Sequence, residues 1–124
     1  MTDIKKNIFI IEDDAALRLA LVSHLKRNYK VSEAEDGEQA IDMLSTLRPD
    51  LILLDIKMPK INGIEVLKYM RRKTMLKNTP VIIISQFDAP TLIAQGLLLG
   101  AKDYLAKANY TLEDIAEMIK TRLR

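Results

Sequence analysis

Two stretches of the chain set four large apolar residues in a row and end each run on acid. Ile8-Phe9-Ile10-Ile11 leads into Glu12-Asp13, and Leu51-Ile52-Leu53-Leu54 into Asp55. Unbroken apolar runs of this length, bounded by polar residues, fit strands covered on both faces. Val81 to Ile84, introduced by Pro80, is a third of the same kind. Lys30 to Ala34 and Lys102 to Ala106 are shorter-range strand candidates that carry charge. Between these runs the spacing becomes helical. Leu17, Leu21 and Leu25 mark a helix from Asp14 to Lys26, with Asp14 as its cap. A second helix follows Asp36-Gly37 through Ala40, Ile41, Leu44 and Leu47, and stops at Arg48-Pro49. After the loop Met58 to Gly63, Ile64, Val66, Leu67 and Met70 mark a third. A fourth runs from about Pro90 to Leu99 and is closed by Gly100, and a fifth from Thr111 to Arg124 with Thr111 as N-cap.

Strands that alternate with helices predict a parallel sheet covered on both sides. The three apolar strands belong in its centre and the two charged ones at its edges. A flavodoxin-like, doubly wound α/β fold with five parallel strands in the order 2-1-3-4-5 meets both conditions. That order sets the first and third strands side by side, about 4.8 Å apart. Asp13 and Asp55 then leave the sheet at the same edge, where open α/β sheets bind ligands. Carboxylates gathered there call for a cation.

Composition narrows the setting. A chain of 124 residues, 48% hydrophobic, is expected to form one domain over residues 1–124. A net charge of +2, with no basic stripe bearing interleaved aromatics, gives no reason to expect direct nucleic-acid binding. The absence of cysteine excludes disulfides and thiolate metal sites and fits a cytoplasmic protein. No run is long enough for a signal peptide or a membrane span. His24 reads as a structural or surface histidine, and Arg71-Arg72-Lys73 as a solvated run at the negative end of its helix.

The acids do not stand alone. Glu12-Asp13, Asp55, Met58-Pro59 with Asn62-Gly63, Ser85, Gly100-Ala101, Tyr104 and Lys107 follow one another at fixed points of this strand and helix pattern. The ordered set resembles the receiver domains of bacterial two-component response regulators, chemotaxis regulators among them, over the whole chain. The resemblance implies that a sensor histidine kinase or a phosphotransfer protein passes a phosphoryl group to Asp55, with magnesium as cofactor. It implies direct magnesium ligation by Asp13 and Asp55, a further ligand from the backbone carbonyl of Lys57, and a water held by Glu12. Lys107 and Ser85 would contact the phosphoryl oxygens, and Ser85 and Tyr104 would act as the switch. The helix from about Pro90 to Leu99, the strand bearing Tyr104 and the last helix would then alter self-association or the binding of a downstream protein. Such a chain is a phospho-accepting signalling domain that assists its own phosphorylation and slow dephosphorylation, rather than an enzyme with an external substrate. Whether it stands alone or belongs to a longer regulator is left open by this resemblance.

Other classes fit less well. Phosphatases of the haloacid dehalogenase type also use an aspartyl nucleophile and magnesium, but carry a second aspartate two residues on, where this chain has Lys57. A flavin carrier would place Gly, Ser and Thr after the first strand, where Glu12-Asp13-Asp14 would repel a phosphate. The nearer rival is a receiver-like interaction module that is not phosphorylated. Within the resemblance, Ala108 replaces the proline usual after the lysine, which bears on the reach of Lys107. Gln86 replaces a small residue, and Phe87 and Lys57 occupy positions that influence the lifetime of the aspartyl phosphate.

Overall fold

The computed structural model describes residues 4–85 and 89–124. Strands β1 (Asn7–Ile11), β2 (Lys30–Ala34), β3 (Leu51–Asp55), β4 (Val81–Ser85) and β5 (Asp103–Ala106) alternate with five helices. These are α1 (Ala15–Leu25), α2 (Gly37–Leu44), α3 (Gly63–Arg71), α4 (Pro90–Leu98) and α5 (Leu112–Arg122). The strands are parallel and ordered β2-β1-β3-β4-β5, as the placing of apolar strands in the centre requires.

Each central strand feeds two cores, because successive side chains point to opposite faces. Phe9, Ile11, Ile52, Leu54 and Ile83 pack with Ala40, Leu44, Val66, Leu67 and Met70 on the side of α2 and α3, where Leu92 and Leu99 join them. Ile8, Ile10, Leu51, Leu53, Ile82 and Ile84 pack with Leu21, Leu25, Ile115 and Ile119 of α1 and α5. Full burial of each large side chain contributes roughly 1.5–3 kcal/mol, so the central strands are the most firmly held part of the sheet.

Helix starts follow their caps. Asp14, Asp36 and Asn62 each accept a backbone N–H from the first turn that follows, and Thr111 forms a reciprocal capping box with Asp114. Helix α2 ends at Leu44, short of the expected Leu47. Its last carbonyls are taken elsewhere: Ser45 Oγ and the N–H of Thr46 close tight bonds to Asp42 and Met43, and the Arg48 guanidinium takes the carbonyls of Leu44 and Leu47. Lys107–Asn109 forms a 3₁₀ turn that the sequence pattern did not indicate. Gln86 and Phe87 lie outside the described residues.

Candidate functional site

The register of β1 and β3 pairs Ile11 with Leu54, so the residues that follow each leave the sheet together. Carboxylate oxygens of Glu12, Asp13 and Asp55 all lie within 4.8 Å of one another. Glu12 and Asp55 are buried, at 0% and 2% exposure, whereas Asp13 is exposed. Loop β3–α3 is drawn in close: Gly63 donates its N–H to Ile56 at 2.9 Å, and a Cβ at Gly63 would overlap the carbonyl of Asp55. Glycine at this position lets α3 start against the strand end. The N–H of Lys57 donates to Asp55 Oδ1 at 3.2 Å.

Lys107, at the end of β5, reaches across to the acids. Its Nζ lies 2.6 Å from Glu12 Oε1 and 3.4 Å from Asp55 Oδ2. No cis peptide occurs among the described residues, so the lysine makes this reach with a trans bond to Ala108. Ser85 is fully buried at the end of β4, paired in register with Ala106 of β5. Tyr104 is half-buried and packs against the core on the α2 and α3 side. Glu12, Asp13, Asp55, Lys57, Ser85 and Lys107 therefore stand at the carboxyl edge of the sheet, whereas Tyr104 sits within β5, paired with Ile83 two residues before the strand end.

Charge crowding governs the electrostatics. Burial, then hydrogen bonding with Asp13 and repulsion from Glu12, push the Asp55 carboxyl up to about 8 despite the opposing pull of Lys107. For Asp13 burial works upward too, but hydrogen bonds with Asp55 and Glu12 outweigh it and hold the carboxyl below its ordinary value. Burial disfavours the Lys107 ammonium, yet its bonds and attractions to Glu12 and Asp55 raise it overall. The donor set is all carboxylate oxygen, which suits a hard divalent cation such as magnesium rather than zinc or copper. One ammonium, that of Lys107, faces three carboxyl groups.

The model of the response regulator receiver domain family matches residues 8–120. The chain belongs to this family. This receiver domain is 34% identical over 118 residues to the response regulator MprA of Mycolicibacterium vanbaalenii, covering 94% of the chain and 50% of that protein. It therefore spans about half the length of the curated relatives it matches. Among solved structures it superimposes on chemotaxis protein CheY4 of Vibrio cholerae with a TM-score of 0.88 and 25% identity, covering 97% of this chain and 100% of that one. The receiver domain of sensor histidine kinase PA1611 from Pseudomonas aeruginosa, solved with magnesium in its active-site cleft, shares the fold at TM-score 0.86 and 22% identity, with 97% and 98% covered. The receiver domain is thus a module of two-component signalling.

Two basic residues escaped the sequence pattern. Arg71, expected in a solvated run, is half-buried, and its guanidinium donates to the carbonyls of Leu76, Lys77, Thr79, Leu99 and Gly100. Burial lowers its pKa from the ordinary value. Arg18 of α1 donates to the main-chain carbonyl of Glu12 at 2.7 Å. Neither lies in a motif, and the carbonyl oxygens they bind are brought near only by folding.

Proposed function

We propose that this receiver domain accepts a phosphoryl group on Asp55 from the phosphohistidine of a sensor histidine kinase or phosphotransfer protein. The observation that carries this reading is the gathering of Glu12, Asp13 and Asp55 beneath the Lys107 ammonium at the carboxyl edge of the sheet. A carboxylate oxygen of Asp55 attacks phosphorus, forming the P–O bond as the P–N bond breaks and the electron pair leaves on the imidazole. Asp13, Asp55 and the carbonyl of Lys57 would hold magnesium, with Glu12 steadying a coordinated water. Bound there, the ion supplies the positive charge that lets an anionic phosphoryl group approach carboxylates and that keeps Asp55 ionised. Lys107 provides a second positive charge toward the phosphoryl oxygens, and the Ser85 hydroxyl donates a hydrogen bond.

The signal is carried to the face formed by α4, β5 and α5. Support comes from the position of Ser85 at the end of β4, beside the strand that bears Tyr104, and from α4, where Leu97 and Leu98 are 47% and 88% exposed. Exposed apolar residues on a surface helix suit partner binding or self-association. Phosphorylation shifts the population between two arrangements of this face.

Incubation with acetyl phosphate and magnesium, followed by intact mass, tests the first step. One phosphoryl group is expected on the parent and none on Asp55→Asn, with Asp13→Asn slowed. Stoichiometric labelling of Asp55→Asn would overturn the assignment, and an unlabelled parent would favour the interaction module without phosphotransfer. Sedimentation and amide exchange with and without the phosphoryl group test the second step. Unchanged association together with unchanged exchange across residues 88 to 110 would rule it out.

A further inference from the structure

Helix α1 sends one side chain back over the turn from which it starts. Arg18 Nη1 donates to the carbonyl oxygen of Glu12 at 2.7 Å, and its Nε to Glu33 Oε1 on β2 at 3.1 Å. Its Nη2 lies 4.0 Å from Glu35 Oε2. The Arg18 side chain is 15% exposed and Glu33 50%, so the ion pair is half-solvated and contributes little by itself, whereas the bond to the Glu12 carbonyl is part-buried. Glu33 orients the guanidinium, and the guanidinium holds a main-chain oxygen.

That oxygen belongs to the peptide joining Glu12 to Asp13. The peptide before it is held by the Glu12 N–H, which donates to Ala34 at 3.1 Å. The peptide after Asp13 is held by the Asp14 N–H, which donates to Glu12 Oε2 at 2.9 Å. Three successive peptide groups are therefore fixed, and together they set the direction in which Asp13 projects. Asp13 is exposed, and besides its contacts with Asp55 and Glu12 its direction depends on these peptides. Of the three bonds, the middle one alone is made by the side chain of another element.

We propose that Arg18 is a positioning residue that aims the Asp13 carboxylate at magnesium by fixing the peptide plane between Glu12 and Asp13. The inference rests on the magnesium reading given above. Charge alone predicts the opposite sign, because a cation beside a divalent-ion site repels the ion and its removal would tighten binding. Positioning predicts weaker binding, as when the partner of a metal ligand is removed.

Calorimetric titration with magnesium chloride at fixed pH and ionic strength distinguishes the two, on the parent, Arg18→Met, Arg18→Lys, Glu33→Gln and the Met/Gln double variant. Thermal unfolding without metal checks the fold of each. The Kd of Arg18→Met is expected to rise about tenfold, the lower end for loss of such a partner, with Arg18→Lys in between. Glu33→Gln is expected to weaken binding in the parent but to add nothing in the Arg18→Met background. Equal or tighter binding by Arg18→Met overturns the proposal, as does an effect of Glu33→Gln that is the same in both backgrounds. If Arg18→Met does not fold, unchanged affinity in both Arg18→Lys and Glu33→Gln overturns it. A parent that takes up no magnesium overturns the magnesium reading itself, and the role of Arg18 with it.

Discussion

Lys107 stands closer to Glu12 than to Asp55, at 2.6 Å against 3.4 Å. Its ammonium therefore neutralises the fully buried Glu12 first and Asp55 second. Lys107→Met leaves Glu12 buried without its partner, and removing one member of a buried pair is strongly destabilising. Chemical denaturation at neutral pH is expected to show a loss of about 3 kcal/mol, the lower end for such a pair because the lysine is not wholly buried, together with slower labelling by acetyl phosphate. A variant as stable as the parent would mean that water or another donor takes the place of the ammonium at Glu12 Oε1.

The Asp55 carboxyl, pushed up to about 8, sets a pH dependence of defined sign. Because its folded value lies above the unfolded one, the folded protein keeps a proton that the unfolded chain has lost. Metal-free stability therefore falls as pH rises from about 4 through about 8. Asp13, held below its ordinary value, contributes stability that is lost only in more acid solution, outside this window. Asp55→Asn is expected to flatten the fall and to be more stable than the metal-free parent at pH 8, by on the order of 2 kcal/mol. Magnesium binding near pH 7 should release a proton, read as a calorimetric heat that varies with the ionisation enthalpy of the buffer. A parent whose stability is level from about pH 4 to about pH 8 would contradict the crowding of the acids.

Arg71 ties the α3–β4 loop to the end of α4 through five backbone carbonyls. Arg71→Met keeps the stem but strips those carbonyls of their donor. A loss of about 2–3 kcal/mol is expected, with faster amide exchange at residues 76–79 and 99–101. Exchange that rises uniformly over the chain instead would show that the loss is global and not local to this clamp.

Leu98, 88% exposed, contributes almost nothing to the core. Leu98→Glu is therefore expected to leave stability within about 0.5 kcal/mol of the parent while weakening self-association or partner binding of the phosphorylated form. Sedimentation of both proteins with acetyl phosphate and magnesium checks this, and unchanged association would remove Leu98 from the contact face.

The sheet was legible because its central strands are apolar without interruption and its edge strands are not. Ile8 to Ile11, Leu51 to Leu54 and Val81 to Ile84 could occupy only the middle, and that fixed which acids would meet. The convergence of Glu12, Asp13 and Asp55 follows from strand order alone. What sequence did not disclose rests on backbone acceptors. Arg18 and Arg71 look like any surface arginines until folding brings carbonyl oxygens to them. The reach of Lys107 was hidden for a related reason: it depends on the path of the 3₁₀ turn after β5, to which the residue pattern assigns no preference.

Helix α3 buries five residues, Gly63, Ile64, Val66, Leu67 and Met70, whereas α4 buries Gly96 alone and has no side-chain cap at its start. Gly96 seats on Ile83, where a Cβ would overlap the isoleucine side chain. Apart from Gly96 and Leu92, which packs against the core, α4 is under little obligation to the interior. On the proposed function, the exposed positions of this lightly held helix can change partner preference while the acids, the lysine and the strands that present them stay as they are.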